Sequence, residues 1–397
     1  MTGAPVPNKQ HRRRVRVATR WIAAILVALA AAACTSSPKP SPTPVAPSLS
    51  RGPQRALFDS LFYSKAGSLY VSDPAGTPGR KLTDGPADTE PAPSPDLAHV
   101  AYIHKAATAD YGGELWVLDL SPAHEPLGAP RRLVDPGALP PGFGTPEAGD
   151  GPPRVWRPRW SPTGNRIAFL EAGQGGGLLL VADAQNGQTV PHKQRMFADD
   201  NYAWAPDGQH IAWTGGRSDV SPVDVSVLTV GGTSTPVVTA ANAFAVTYDV
   251  AGQSILFANG NASGEMFDGI PFAVRDGGIY SVATPGGAPA NPPGAATPVL
   301  KGQAWYGDVA ALSSGAVAFT QTSVDGSAKS MQVLDAHSSV ARTLAGSVTA
   351  DSQGPVWGPG DIVAYVDSGK HLVVTDVDNH APKQIDTGVD AFAWPPR

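Results

Sequence analysis

Residues 160–170 read WSPTGNRIAFL, and residues 204–214 read WAPDGQHIAWT. In each, an aromatic residue leads into a Pro-x-Gly turn, and a short apolar strand follows. Gly in such a turn supplies the positive φ that a tight hairpin needs. The strand sets small residues beside large ones, as packing between stacked sheets requires.

The phrase recurs along the chain. Close copies are PAPSPDLAHVAYI (91–103), PRWSPTGNRIAFL (158–170) and YAWAPDGQHIAWT (202–214). More degenerate copies begin at Val246, Val309 and Pro355, about 44 residues apart where nothing is inserted. Each is followed by an apolar strand such as LWVLD (115–119), LLLVAD (178–183) or LVVTD (372–376), and then by a short fourth strand such as RRLV or RTLA. Four short strands per 40–45 residues, separated by Gly, Pro and Asp turns, are the signature of a β-propeller blade. The expected fold is all-β, a propeller of four-stranded blades.

The first recognisable strand, SLFYSK (60–65), matches the second strand of the repeat. The final segment, DAFAWPPR (390–397), matches a first strand. The two ends therefore complement each other. Residues 390–394 are expected to pair with residues 58–84 in one composite blade, giving seven blades, with six or eight left open. Closure of this kind removes open sheet edges.

In its Trp-Ser-Pro-Asp-Gly, Ile-Ala-Phe, Ile-Tyr-Val-x-Asp and Leu-Thr elements the repeat resembles the TolB-type propeller, related to the WD repeat. The resemblance covers about Leu57 to Trp394. It implies a non-enzymatic, protein-binding scaffold in envelope maintenance or transport. TolB proteins are soluble, with six blades and an extra N-terminal domain, so the match does not carry over whole.

The N-terminus has a different character. HRRRVRVATR (11–20) is basic, and WIAAILVALAAAAC (21–34) is apolar but short for a membrane span. Together they have the layout of a secretory signal. The run ends at Cys34, the only cysteine. Ala31-Ala32-Ala33-Cys34 resembles a bacterial lipobox, departing at Ala31, where Leu is preferred. The resemblance implies acylation of Cys34, for instance with palmitate, and a mature protein anchored to the cell membrane and facing the periplasm or cell wall. An ordinary signal peptide that contains a cysteine is the alternative. Residues 34–53 are rich in Pro and Ser and form a tether, reaching roughly 60 Å at ~3.1 Å per residue. The organisation expected is a signal over 1–33, the tether over 34–53 and the propeller over 54–397.

Formal charge is −5, but residues 1–33 hold six bases and no acid. The remainder has 23 bases against 34 acids, a net of −11. Phosphate backbones need a basic surface, so nucleic acid is not an expected partner.

Motifs for chemistry are sparse. The sequence has no Gly-x-Ser-x-Gly elbow, no His-Glu-x-x-His, no cysteine pair and no phosphate-binding Gly-Lys-Ser/Thr loop. No cofactor, metal or catalytic residue is therefore assigned. DVDNHA (376–381) begins like a calcium loop but lacks its sixth-position Gly and distal Glu. Asp199-Asp200 is read as a solvated pair. His99, His210, His371 and His380 are scattered over different blades. Trp160, Trp204, Trp357 and Trp394 share one repeat position, read as inter-blade packing with ligand stacking as the alternative. Asp73, Asp119, Asp183, Asp335 and Asp376 end third strands, read as turn caps. First strands offer few acids, Asp249 and Asp308 being the exceptions. A channel enzyme (glycosidase, lyase or hydrolase) or a small-ligand sensor in the central channel is the competing reading.

Long insertions mark a working face. In a four-stranded meander the connection between strands two and three shares a face with the connection between blades. Insertions 104–113, 135–155 and 259–277 all belong to that set and bring candidate partner-binding residues Tyr111, Phe143, Met266, Phe267 and Phe272. Segment 284–298 belongs to the other face and reads as flexible filler. An envelope protein is the expected partner. For the anchor, Cys34→Ala should release the protein from membranes or block its processing. Membrane fractionation and N-terminal sequencing check this, and wild-type fractionation with a different N-terminus would exclude the lipoprotein reading.

Overall fold

The computed structural model describes residues 60–72, 78–105, 112–139, 154–173, 176–192, 197–198, 201–215, 223–239, 241–262, 266–267, 270–271, 274–292, 294–302, 304–323, 328–349, 354–377 and 382–396. All lie in the larger of two compact units, residues 50–397. Cys34, the signal and the tether lie outside the described residues.

Seven four-stranded antiparallel sheets make up the ring. In inner-to-outer order the first blade holds Asp88–Pro93, His99–His104, Glu114–Asp119 and Arg131–Val134. The second holds Val155–Trp160, Arg166–Gly173, Gly176–Asp183 and Phe197–Ala198, and the third Tyr202–Trp204, His210–Gly215, Asp224–Thr229 and Ser234–Val238. The fourth holds Ala243–Tyr248, Ser254–Ala262, Val274–Ala283 and Thr297–Gly302. The fifth holds Trp305–Ala311, Val317–Thr322, Lys329–Leu334 and Arg342–Ala345, and the sixth Val356–Trp357, Ile362–Val366, His371–Asp376 and Lys383–Thr387. The blades that start near Val246 and Val309 are complete although their turns have lost Ser-Pro-Asp.

The seventh blade is composite. Val389–Ala393 pairs with Phe62–Lys65, which continues to Ser68–Val71 and Arg80–Lys81. Phe62 faces Ala393 and Tyr63 faces Phe392. The expected joining of the two ends is thus the closure of the ring.

Side-chain alternation explains how the blades stack. In the second strand of blade two, Ile167 and Phe169 pack toward blade one, whereas Ala168 and Leu170 pack toward blade three. The third strand repeats this, with Leu178 and Leu180 on one side and Leu179 and Val181 on the other. Both faces of the sheet are buried, so the strand reads as an unbroken apolar run. One hydrophobic cluster lies at each of the seven blade interfaces. Full burial of one large apolar side chain contributes about 1.5–3 kcal/mol, so each interface draws on many such terms.

The quoted turns behave as their sequence requires. Gly208 has φ +63°, and a Cβ there would meet Thr163 Oγ1 at 2.6 Å. In blade one Leu97 occupies the same left-handed conformation with φ 60°. The start of segment 284–298 is not the filler expected. Residues Pro285–Gly287 form a 3-10 turn. The Gly287 N–H donates to Gly252 O, and the Tyr248 hydroxyl donates to Gly287 O. The segment's first residues are packed against the fourth blade's hairpin turn, because buried carbonyls there need donors.

A polar clamp joins the composite blade to its neighbour. The Tyr63 hydroxyl donates to Asp386 Oδ2 at 2.9 Å, and Lys65 Nζ lies 2.6 Å from Oδ1. Burial pushes the Asp386 carboxyl up, but Lys65, the Thr387 N–H and the Tyr63 hydroxyl outweigh it and hold the group below the usual carboxylate range. A folded-state value below the unfolded one contributes stability above the unfolded pKa, and this is lost as pH falls through the folded value. Urea midpoints should therefore fall between about pH 5 and pH 2. Asp386→Asn should cost on the order of 2 kcal/mol at pH 7 and flatten part of that slope. An unchanged slope would remove Asp386 from the acid response.

Candidate functional site

The innermost strands of all seven blades surround a cavity of about 1100 Å³. Each inner strand starts on the face that carries the blade-to-blade connections and ends at the hairpin turn on the other face. The channel therefore has two chemically different mouths, set by which repeat position lies at which end.

At the turn end stand the repeated aromatics. Trp160, Trp357 and Trp394 are buried, and Trp204 is half-buried. The Trp160 indole N–H donates to Ala92 O at 2.7 Å, that of Trp204 to Arg159 O at 3.1 Å, and that of Trp394 to Val356 O at 3.2 Å. Each acceptor sits at the same position of the preceding blade. These tryptophans stitch adjacent blades, as expected from their spacing. Trp204 is the most open of the four toward the channel.

The other end is polar. Glu90, Arg157 and Asp308 occupy one repeat position and all have positive φ, 49°, 52° and 43°. Each lies where the register between first and second strand shifts, between Thr89 and Ala92, Trp156 and Arg159, and Gly307 and Ala310. An inner-strand bulge re-aims the side chain, and a non-Gly residue there costs on the order of 1–3 kcal/mol. Hydrogen bonds between blades hold it. Glu90 Oε2 accepts the Arg157 N–H, and Asn201, at the same repeat position, donates from Nδ2 to Phe244 O. Asp308 accepts from Thr320 Oγ1 at 2.8 Å and faces Lys329 Nζ at 2.8 Å. Arg159 lies with its guanidinium 4.8 Å from the Tyr202 ring centroid and donates to Tyr202 O. Asp390, in the bulge of the composite blade, is solvent-exposed at the channel. Partial enclosure there pushes its carboxyl up, and the Ala66 N–H and Lys105 offset part of the shift.

Of the two first-strand acids read as exceptions, Asp249 sits in a turn. Its Oδ1 accepts the Gln253 N–H and its Oδ2 the Ser254 hydroxyl. Asp308 is engaged as described. Glu90, Arg157, Arg159 and Asp390 were missed, because they precede the part of the phrase that the repeat makes conspicuous. For Glu90 and Arg157 the signal is a polar residue four or five places before the turn, as in EPAPSP and RPRWSP.

The strand-end aspartates divide. Asp183 caps its turn through the Gln185 and Asn186 N–H groups. Asp119 instead pairs with His99 at 2.8 Å, and Asp335 with Arg342 at 3.3 Å. A hydrogen-bonding side chain on the adjacent strand competes with the turn for the carboxylate. Asp73 lies outside the described residues. The histidines are also paired, His210 with Asp207 at 2.6 Å and His371 with Asp367 at 3.1 Å. His104 adds a pair with buried Asp88 at 2.7 Å. His380 and Asp199-Asp200 lie outside the described residues. Among the described residues no three His, Cys, Asp or Glu side chains converge as a metal-binding group.

Of the candidate partner-binding residues, Tyr111, Phe143 and Phe272 lie outside the described residues. Met266–Phe267 forms a two-stranded sheet with Ile270–Pro271, described for its backbone alone. This small sheet tops a hairpin whose strands, Ser254–Ala262 and Val274–Ala283, are longer than those of the other blades. The hairpin springs from the polar-mouth face.

No family model matches the chain, and no curated protein matches it in sequence. Solved structures share the fold. The crystal structure of TolB from Acinetobacter baumannii is 15% identical, with a TM-score of 0.50 over 77% of this chain and 68% of that one. The tricorn protease is 10% identical, with a TM-score of 0.58 over 83% of this chain and 33% of that one. The β-propeller domain of the Trilobed protease from Pyrococcus furiosus is 13% identical, with a TM-score of 0.51 over 81% and 87%. That domain has an open velcro topology, whereas the strands from the two ends of this chain pair. The chain spans only a third of the tricorn protease. TolB-type propellers and peptidase propellers are thus both structural neighbours.

The stitching role of the aromatics is measurable. Trp160→Phe removes the buried indole bond to Ala92 O, at a cost of about 0.5–1.5 kcal/mol. Chemical denaturation should show this loss, and a smaller one for Trp204→Phe, whose bond is exposed. Equal effects would argue against burial as the deciding factor.

Proposed function

We propose that this protein is an exported, lipid-anchored propeller that acts as a non-enzymatic protein-binding scaffold in a bacterial cell envelope. One observation carries the binding role. The connection from Val134 to Val155 and the fourth blade's extended hairpin leave the closed ring from the same face, and the hairpin carries its own small sheet. The sequence over 265–272 reads EMFDGIPF, with Glu265 and Asp268 on either side of Met266 and Phe267. Apolar anchors with acids beside them suit a protein interface.

Export and anchoring rest on the basic-then-apolar N-terminus and on Cys34 at its end. The fold itself does not choose between scaffold and enzyme, since both kinds of neighbour share it. The scaffold is favoured because Glu90, Asp249 and Asp308 are occupied by backbone, hydroxyl or lysine partners that latch blades or cap turns. General acid–base catalysis needs such groups poised toward a substrate instead.

Crosslinking in intact cells, followed by affinity purification, should recover an envelope protein with wild type. Phe267→Ser combined with Phe272→Ser should lose that partner at least tenfold while thermal unfolding stays within 2 °C of wild type, roughly the reach of a surface change. Retained capture by the double variant would refute the hairpin as the anchor.

A further inference from the structure

The register of the blades sets the channel in levels. Arg159 pairs with Ala168 of its second strand, and the same second-strand position is paired in the other blades by Ala92, Ala203, Thr247, Ala310, Val356 and Ala393. These residues line the cavity at one height. Arg159 is the one charged side chain among them, and it is solvent-exposed. Six blades close the ring with a small or uncharged side chain here, so packing does not call for a cation. Arg157 and Arg159 are also the only bases on the seven inner strands. Acids stand at a different height. Glu90 and Asp308 share the repeat position of Arg157, two residues nearer the polar mouth.

Arg159 is held in place by the next blade. Its guanidinium lies 4.8 Å from the Tyr202 ring centroid and donates to Tyr202 O. A guanidinium fixed in this way loses little freedom when its planar fork meets a ligand. The next level toward the turns is the aromatic one. Trp204 there is half-buried, whereas Trp160, Trp357 and Trp394 are buried. The Trp204 indole N–H donates to the carbonyl of Arg159 itself, at 3.1 Å. The one cation of its level and the most open indole of the next are therefore neighbours, joined through the backbone.

We infer that the channel binds a sugar acid, a uronate whose carboxylate is held by Arg159 and whose pyranose ring lies on Trp204. This site goes beyond the protein-binding reading above and does not depend on the hairpin. Three features select the class. A guanidinium takes a planar carboxylate through two parallel N–H bonds. The electronegative face of an indole takes the C–H groups of a pyranose ring. The inner strands are paired along one edge only, so the other edge turns backbone N–H and C=O groups to the channel, where they suit ring hydroxyls. An aromatic acid would use the first two features and leave the third idle. The cavity of about 1100 Å³ lies at the top of the range for small-ligand sites, roughly 300–1,000 Å³, which leaves room for a short oligomer.

The test uses the full chain and the dimers of glucuronate, galacturonate and mannuronate, each beside its uncharged methyl ester. Tryptophan fluorescence and titration calorimetry follow binding. At least one dimer should saturate the protein with a Kd of about 1 mM or tighter, and at least tenfold tighter than its ester. That comparison needs wild-type protein alone. Arg159→Gln should weaken binding of the acid at least tenfold and leave the ester within twofold. Trp204→Leu should weaken both at least fivefold, and Arg157→Gln should change acid binding less than threefold. Matched melting curves check the fold. Should Arg159→Gln unfold, Arg159→Lys, which keeps the charge and loses the fork, should weaken acid binding at least threefold. Four results would each overturn the inference: no binding of any of the three dimers, equal affinity for acid and ester, equal saturation by benzoate or acetate, or equal losses from Arg157→Gln and Arg159→Gln. Phe267→Ser with Phe272→Ser should leave uronate binding unchanged, so failure of the hairpin reading and failure of the channel reading give different results.

Discussion

Everything in this ring depends on the double-sided burial of its sheets. A propeller blade has no exposed face, since each sheet is packed against one neighbour in front and another behind. Ile167 and Phe169 serve one interface, and Ala168 and Leu170 serve the next. An interface left open would expose a whole apolar face, so the arrangement is stable only as a closed circle. The pairing of Val389–Ala393 with Phe62–Lys65 is what closes it. The Tyr63, Lys65 and Asp386 clamp sits at that join, where two chain ends with separate entropic freedom are held together.

Closure has consequences for the centre. Seven inner strands face one another with their outer edges paired and their inner edges toward the channel. The tryptophans at the turn end use their indole N–H groups on carbonyls of the preceding blade, which gives the indoles their acceptors and ties neighbouring blades together. At the other end, bulges place Glu90, Arg157 and Asp308 in left-handed backbone conformations. The same device that bends the strand brings charge to the rim. A ring with one aromatic mouth and one mouth of mixed charge therefore has two chemically different ends, and the fourth blade's extended hairpin leaves from the second.

Much of this was legible in one dimension. The Trp-x-Pro-x-Gly phrases, the apolar third strands and the complementary ends are local patterns, and local patterns survive in sequence because hairpin turns and strand alternation are short-range. The indole stitches were legible for the same reason, since a residue that recurs at one place in every blade meets the same neighbour each time. The closing pair was legible although Phe62 and Ala393 lie at opposite ends, because the repeat has a fixed strand order and a missing first strand has to come from somewhere. Less was visible of the site. Asp119 and Asp335 end strands as capping residues do, yet bind His99 and Arg342, a choice made by side chains on adjacent strands. Residues 284–287 read as filler and are tied to Gly252.

The sequence by itself determined that the chain forms repeated four-stranded sheets, that these close through the two ends, and that the insertions 104–113, 135–155 and 259–277 are rooted on one side. Period, turn chemistry and strand alternation are properties of neighbours along the chain. Only the tertiary structure decided which side chains meet across blades. Glu90 reaches the backbone of Arg157, Asp308 meets Lys329, and Tyr63 and Lys65 converge on Asp386. Those contacts depend on the curvature of the ring and on the bulges of its inner strands. The bulges leave only a faint trace in sequence, a polar residue at one repeat position, because the effect of each is felt on the next blade rather than on its own.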